Sequence, residues 1–139
     1  MNREILFRGK RVNNGEWVYG YLTMCTDGSC YIATEIERNV IRYVKGKPSY
    51  VFNCIEYEVD PKTVGQYTGM EDKDENKIVE GDLYRSDSGY IFEVVYLESE
   101  ACFVGVPVKE PESWVFLEDM LDMERVGNKW DDSELLEVE

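Results

Sequence analysis

Turn-forming residues recur at short intervals along this chain of 139 residues, and their spacing constrains the fold more than any other feature. Between the turns lie segments rich in valine, isoleucine, tyrosine and tryptophan, which favour a pleated sheet. Short segments of this kind, bounded by Gly, Asn, Asp and Pro, are typical of antiparallel β proteins. The clearest turn signals are Asn13-Asn14-Gly15, Asp27-Gly28, Lys45-Gly46-Lys47-Pro48 and Asp87-Ser88-Gly89. The sequence therefore predicts a mostly β protein with antiparallel sheets.

Alternation of side chains predicts nine strands, because neighbouring residues in a strand point to opposite faces of the sheet. The segments are 4–12, 17–24, 31–36, 40–44, 50–59, 77–86, 90–97, 101–108 and 122–130. Residues 112–123 fit one face of a short helix about as well as an irregular strand, so both interpretations stay open. Residues 132–136 predict a C-terminal helical turn, capped by Asp132 or Ser133.

The apolar pattern breaks between Asp60 and Asn76. We therefore predict an N-terminal β unit (1–59), a connecting loop (60–76) and a C-terminal β unit (77–139) within one compact domain. A chain of this length can bury roughly 68% of the surface that it exposes when unfolded. A disulfide or a structural metal is therefore not required for stability.

The four cysteines do not form a metal-binding pattern. They are Cys25, Cys30, Cys54 and Cys102, and the chain has no histidine. Structural zinc usually takes two closely spaced pairs of cysteines, or cysteines together with histidines, and only the first two cysteines here are close in sequence. We therefore expect free thiols in a reducing compartment, with no metal and no cofactor.

The net charge of −14 is concentrated in the second half of the chain. Residues 1–62 carry nine Lys/Arg against eight Asp/Glu, whereas residues 63–139 carry six against twenty-one. Affinity for nucleic acid depends largely on basic groups that release counterions from the phosphates. Direct binding to DNA or RNA is therefore not expected. The acidity favours solubility or a basic partner surface.

No segment of the sequence has the pattern of a membrane span or a signal peptide. The N-terminal residues do not lead into an uninterrupted apolar run, and no run approaches the roughly 20 apolar residues that a membrane helix needs. We therefore expect a soluble, cytoplasmic protein.

An ordered set of short motifs extends over nearly the whole chain. The set comprises Phe7-Arg8-Gly9-Lys10, Gly15-x-Trp17-Val18-Tyr19-Gly20-Tyr21-Leu22, Pro61-x-Thr63-Val64-Gly65-Gln66-Tyr67-Thr68-Gly69, Asp72-Lys73-x-x-x-Lys77-Ile78-x-Glu80-Gly81-Asp82, Val126-Gly127-Asn128 and Glu134-Leu135-Leu136. In this order and spacing the set resembles the YopX family of phage and prophage proteins.

The resemblance implies a β-rich fold with an SH3-like barrel in the C-terminal half, and action in a bacterial cytoplasm. It implies no established activity, so no catalytic residue carries over. One departure from the family pattern is Glu75-Asn76-Lys77, where a glycine-containing turn is usual. We expect Asn76 to take the left-handed conformation there, because asparagine tolerates it.

The segment Asp72-x-Asp74-x-Asn76 imitates the first half of a calcium-binding EF-hand loop. Counting on from Asp72, however, the sixth position is Lys77, where a glycine is needed, and the twelfth is Leu83, where a glutamate is needed. The segment is therefore predicted to be a polar loop.

A second group of polar and glycine residues is predicted to be structural. Glycine in a strand often marks a bulge, and aspartate accepts backbone N–H bonds there. The glycines of 63–69 are not a phosphate loop, because the Lys-Ser/Thr that contacts phosphate is missing. The predicted structural residues are Thr63, Gly65, Thr68, Gly69, Glu80, Gly81, Asp82, Gly127 and Asn128.

Trp17, Tyr19 and Tyr21 alternate along one predicted strand and form an aromatic face. Such a face can stack on bases or bind a protein. The favoured interpretation is an inward face that packs on a second sheet. If the face is exposed, it is the best candidate ligand surface, with Arg3, Arg8, Lys10 and Arg11 nearby.

Since no catalytic constellation is evident, the leading hypothesis is a non-catalytic module that binds a host or phage protein. One alternative is an acidic DNA mimic that inhibits a DNA-binding protein. Another is a metal-assisted enzyme that uses Asp72, Asp74, Glu80 and Asp82. A homo-oligomer is compatible with a small β protein that has several sheet edges.

Overall fold

The computed structural model describes residues 4–137, which contain eleven strands and three short 3-10 helices but no α-helix. The strands are β1 (Phe7–Lys10), β2 (Trp17–Met24), β3 (Cys30–Val44), β4 (Lys47–Val59), β5 (Gly65–Glu71), β6 (Lys77–Val79), β7 (Asp82–Arg85), β8 (Ile91–Leu97), β9 (Cys102–Pro107), β10 (Val115–Phe116) and β11 (Glu124–Asn128). The 3-10 helices are η1 (Pro61–Thr63), η2 (Leu117–Met120) and η3 (Ser133–Leu136). The prediction of a mostly β protein with antiparallel sheets is confirmed.

The first compact unit, Leu6–Val64, holds four antiparallel strands in the order β4-β3-β2-β1. Consecutive strands pair as hairpins. The end of β4 also bonds back to the chain around the end of β1. There the Val12 amide donates to the Glu58 carbonyl (3.1 Å), and the Asp60 amide donates to the Lys10 carbonyl (2.8 Å). The two outer strands therefore meet at this end of the unit.

The core of the first unit lies where all four strands are present. Its buried residues are Cys30, Ile32 and Val59, with Phe7, Val18, Leu22 and Val64 packed against them. The alternation predicted for β2 is correct, since Val18 and Leu22 on one face of that strand contact this core.

Strand β3 is one continuous strand, although the sequence predicts two (31–36 and 40–44). Register shifts between Ala33 and Glu35 and between Val40 and Arg42 mark two bulges. Each bulge adds a residue and interrupts the alternation without ending the strand. Strand β2 pairs with β3 only as far as Ala33, so β3 and β4 continue beyond it as two strands alone. Residues 34–55 are called the ribbon below.

The second unit comprises the described residues from Gly65 onward, together with Glu4 and Ile5. It contains the β5–β6 hairpin and a five-stranded antiparallel sheet in the order β10-β9-β8-β7-β11. The strand of this sheet that comes last along the chain, β11, therefore pairs with the one that comes first, β7. The buried core residues are Ile78, Tyr84, Phe92, Val94, Leu117 and Met120.

Residues 60–76, predicted to be a connecting loop, contain the helix η1 and the seven-residue strand β5. Gly65 and Tyr67 of this strand are buried. A Cβ atom on Gly65 would lie 2.5 Å from the Glu80 carbonyl oxygen, so the glycine permits close approach of the backbone. Buried glycines contribute no apolar side chain to the pattern, which explains why the strand was not predicted.

Residues 112–123 contain both elements that the sequence left open, the two-residue strand β10 and the 3-10 helix η2. The predicted C-terminal turn is present as η3. Asp132 occupies the N-cap position of η3, as predicted, but its side chain makes no capping hydrogen bond. Its carboxylate accepts the Asn128 amide (3.0 Å) instead.

Replacing Ile32 with alanine tests where the core of the first unit lies. Ile32 is fully buried, so Ile32→Ala should lower the free energy of unfolding by about 2–5 kcal/mol. Met24 lies exposed at the end of β2, and Met24→Ala should change that free energy by less than about 0.5 kcal/mol. Urea titration followed by circular dichroism measures both values. Equal losses in the two variants would contradict this assignment of the core.

Candidate functional site

The Asp72 carboxylate organises the turn between β5 and β6. Its Oδ1 accepts the backbone amides of Asp74 (2.9 Å) and Asn76 (3.0 Å), and its Oδ2 accepts the hydroxyl of Tyr84 (2.9 Å). Both oxygens of the first EF-hand-like position therefore receive protein donors. The residue with positive φ in this turn is Glu75 (64°), so the prediction that Asn76 takes the left-handed conformation is wrong.

The environment of this turn shifts two pKa values in opposite directions. Burial acts to raise the pKa of Asp72, but hydrogen bonds from the Asn76 backbone, Tyr84 and the Asp74 backbone outweigh it, and the pKa lies below its usual value. Burial raises the pKa of Tyr84, and the hydrogen bond to Asp72 raises it further. The phenol therefore stays protonated and donates to a charged carboxylate at neutral pH.

Glu80 and Asp82 each accept a backbone amide. Asp82 is completely buried: its Oδ2 accepts the Val79 amide (2.9 Å), and its Oδ1 lies 3.3 Å from the Arg125 guanidinium. The Oε1 atom of Glu80 accepts the amide of Gln66 (3.2 Å). Each carboxylate thus ties one backbone segment to another, which favours a structural role over acid–base chemistry.

The other predicted structural residues also hold turns and strand ends. In the first unit, the buried hydroxyl of Thr63 donates to the Asp60 carbonyl (2.7 Å) and accepts the Lys10 amide (2.9 Å). In the second, the hydroxyl of Thr68 donates to the Ile78 carbonyl (2.8 Å). Gly69 takes positive φ (91°) where the β5–β6 register shifts.

Two glycines make room for side chains near the C-terminus of the second unit. Gly81 takes positive φ (95°), and a Cβ atom there would collide with the ring of Trp130. Gly127 faces the Asp132 carboxylate in the same way. The adjacent Asn128 accepts the amides of Trp130 (3.0 Å) and Asp131 (2.9 Å) through its Oδ1. The motif residues at positions 81, 127 and 128 therefore build the C-terminal turn.

Two of the three aromatic residues of β2 are open to solvent, and Trp17 is half-buried. Tyr19 is 42% exposed and Tyr21 is 55% exposed, so the prediction that this face packs inward on a second sheet is wrong. The physical reason is that the opposite face, with Val18 and Leu22, already fills the core of the first unit.

Basic residues on β1 lie beside the aromatic residues of β2. Cross-strand pairing sets Arg8 opposite Tyr19, and Lys10 opposite Trp17. The Arg8 guanidinium lies 4.7 Å from the centre of the Trp17 ring, and the Lys10 ammonium lies 5.6 Å from it. Trp17 is therefore held by two cation–π contacts and is half-buried.

The exposed surface continues along the ribbon. Tyr21 pairs with Ala33, and alternation along β4 places Tyr50 and its partner Val40 on the same face as that pair. The Arg38 guanidinium covers the Tyr50 ring at 4.5 Å. The aromatic face is defined here as Trp17, Tyr19, Tyr21, Val40, Tyr43 and Tyr50. Sequence reasoning missed the last three, because the bulges in β3 obscure which of its residues share a face.

A separate cleft of about 550 Å³ lies in the second unit. Its apolar lining includes Tyr67, Met70 and Phe116, together with Tyr96 and Phe103, whose rings meet edge to face at 5.2 Å. Among the described side chains, no group of three or more Cys, Asp or Glu residues is arranged to hold a metal ion.

The architecture is that of an all-β protein whose polar motif residues hold turns and whose tyrosines on β2 are exposed. The family model described as YopX protein matches residues 6–137, nearly the whole chain. The chain therefore belongs to the YopX family, as the ordered motifs predict. No curated protein matches the chain. Over residues 4–137, none of the helices has the length and apolar character of a membrane span.

The buried carboxylate of Asp72 predicts a specific loss of stability in acid. Because its pKa is lower in the folded chain than in the unfolded chain, its contribution is complete above about pH 5 and is lost as the pH falls through the folded-state pKa. At pH 7, Asp72→Asn should lower the free energy of unfolding by about 1–3 kcal/mol. The difference from the wild type should shrink as the pH falls through that folded-state pKa.

Denaturant titrations at several pH values measure this difference. Asp74→Asn is the matched control, because Asp74 is exposed, and its effect should stay within about 0.5 kcal/mol at every pH. A difference between wild type and Asp72→Asn that does not change with pH would show that the carboxylate charge contributes nothing.

Proposed function

We propose that this YopX-family protein is a non-catalytic interaction module that binds a host or phage protein through the aromatic face. The observation that carries the proposal is the exposure of Tyr19 and Tyr21 beside Trp17, on the side of the sheet opposite the core. Adjacent large aromatic side chains on a surface mark sites of association.

The composition of the face is that of an interface centre. Tyrosine, tryptophan and arginine are the residue types that contribute most to protein–protein binding. The cation–π contacts of Trp17 and Tyr50 restrain these rings before a partner arrives, so less conformational entropy is lost on binding. Glu56 and Glu58 on β4 form an exposed polar border to this face.

The distribution of charge favours a basic partner protein. Residues 63–139 carry an excess of fifteen negative charges, which speeds the encounter with a positively charged surface and repels nucleic acid. The module acts in this proposal within the cytoplasm of a bacterial host, and it needs no cofactor.

The five-stranded sheet is proposed to be an SH3-like unit. Two features support this assignment. The last strand, β11, pairs with the first, β7, and the 3-10 helix η2 directly precedes the last strand. The same strand order and the same position of a 3-10 helix are found in SH3 domains, many of which bind peptides.

Capture experiments with matched variants test the proposed surface. The wild-type protein, Tyr19→Ser/Tyr21→Ser and Tyr90→Ser serve as baits in extracts of bacteria that carry the phage or prophage. Tyr90 is also exposed but belongs to the second unit, so its variant is the control. One protein should be recovered in stoichiometric amount with the wild type and with Tyr90→Ser, but not with the double variant.

Calorimetry with the purified partner then measures affinity. Loss of two interface tyrosines should weaken binding by about 30-fold or more, since a central aromatic residue often contributes 2 kcal/mol or more. Recovery of no stoichiometric partner would refute the proposal. Equal binding by the double variant would refute the aromatic face as the site.

A further inference from the structure

The outer edge of β4 is a long strand edge without a neighbour. Among the described residues, β4 is the terminal strand of its sheet, and only its last residues bond to the chain beyond β1. The edge between residues 47 and 57 is therefore free. A two-stranded ribbon is marginally stable by itself in water, and a free edge of this length readily pairs with another strand.

The backbone groups that face this free edge follow from the bonds at its end. The Glu58 carbonyl and the Asp60 amide both point towards the chain beyond β1, away from β3. Alternation along β4 then directs the N–H and C=O groups of Tyr50, Phe52, Cys54 and Glu56 away from β3 as well. By the same alternation, the backbone nitrogen of Pro48 also faces away from β3. The N–H that proline lacks therefore interrupts no hydrogen bond to β3.

Among the described side chains of the ribbon, seven large apolar ones are exposed. Tyr43 is 70% exposed and Ile41 is 61% exposed. Soluble proteins usually protect a free edge with charges or prolines along its length, whereas here the middle of β4 carries none. The other exposed apolar residues of the ribbon are Val40, Val44, Tyr50, Val51 and Ile55.

The charges at the two ends of the ribbon are complementary to each other. Residues 38–47 carry four cations and no anion, whereas the end next to the four-stranded core carries four glutamates against one cation, Arg11, whose guanidinium lies 4.0 Å from the centre of the Tyr57 ring. The cations are Arg38, Arg42, Lys45 and Lys47, and the glutamates are Glu35, Glu37, Glu56 and Glu58. If two copies of β4 lie antiparallel about a point near residue 52, the basic end of each ribbon lies beside the acidic end of the other.

We infer that β4 pairs edge to edge with β4 of a second copy of this chain, about a two-fold axis near the middle of the free edge. Such an interface is self-complementary in backbone bonds and in charge, as two-fold symmetry requires. The inference does not rest on the proposed function: the aromatic face shares Tyr50 with β4, but the paired edge uses backbone groups, and the residues changed to test the proposed function, Tyr19 and Tyr21, lie on β2.

Sedimentation equilibrium of the full chain with charge-reversed variants tests the arrangement. The wild type should be a dimer. Lys45→Glu/Lys47→Glu should raise the dimer dissociation constant by about tenfold or more, because each ribbon then brings a less basic end beside the acidic end of the other. Adding Glu56→Lys and Glu58→Lys to that variant should restore the wild-type constant to within about threefold. Lys62→Glu/Lys73→Glu, at exposed positions outside the ribbon, is the control and should leave the constant unchanged.

Amide hydrogen exchange of the wild type provides a test that does not depend on any variant folding. The amides of Tyr50, Phe52, Cys54 and Glu56 should be protected at high protein concentration and should exchange rapidly on dilution below the dissociation constant. A monomer at all concentrations would overturn the inference. A dimer in which these amides remain unprotected, or in which the charge exchange fails to restore association, would overturn it as well.

Discussion

The strands of the first unit differ in length, and this difference determines which of its residues are exposed. Strands β3 and β4 have 15 and 13 residues, whereas β1 and β2 have four and eight. The start of β3 and the end of β4 lie beside the other strands of the unit. This end of the long hairpin contributes Cys30, Ile32 and Val59 to the core. The remainder extends as a ribbon on which apolar residues such as Ile41, Tyr43 and Ile55 are exposed.

In the second unit, buried polar side chains hold the tight turns of a small sheet. Asp72, Asp82 and Asn128 each accept backbone amides through a buried side chain. A buried polar atom stabilises a turn only when its hydrogen bonds are satisfied, and these side chains meet that requirement. Glycines with positive φ at positions 81 and 127 then let the backbone approach the side chains of Trp130 and Asp132. Carboxylates that look reactive in the sequence are explained by this scaffolding.

The sequence predicts elements correctly where side chains alternate regularly along a strand. It fails where contacts between distant segments decide which face of the strand is buried. The bounds of β2 follow directly from the alternation of Trp17 to Met24, but alternation does not tell which of two apolar faces meets a core. The choice depends on partners distant in sequence, such as Ile32 and Val59. Strand β5 was missed because Gly65 contributes backbone and no side chain to the interior. The YopX motifs predicted the family correctly because they are compared as an ordered set.

The two bulges of β3 and the position of the ribbon outside the core have a consequence for how such a protein can diverge. Because no core residue depends on the far part of the hairpin, its length can change without loss of the packing around Ile32. Changes of two residues in each strand leave every side chain on its original face, whereas a change of one residue reverses the faces beyond it. Insertions of two residues in each strand of the ribbon can thus change the binding specificity while the four-stranded core stays the same.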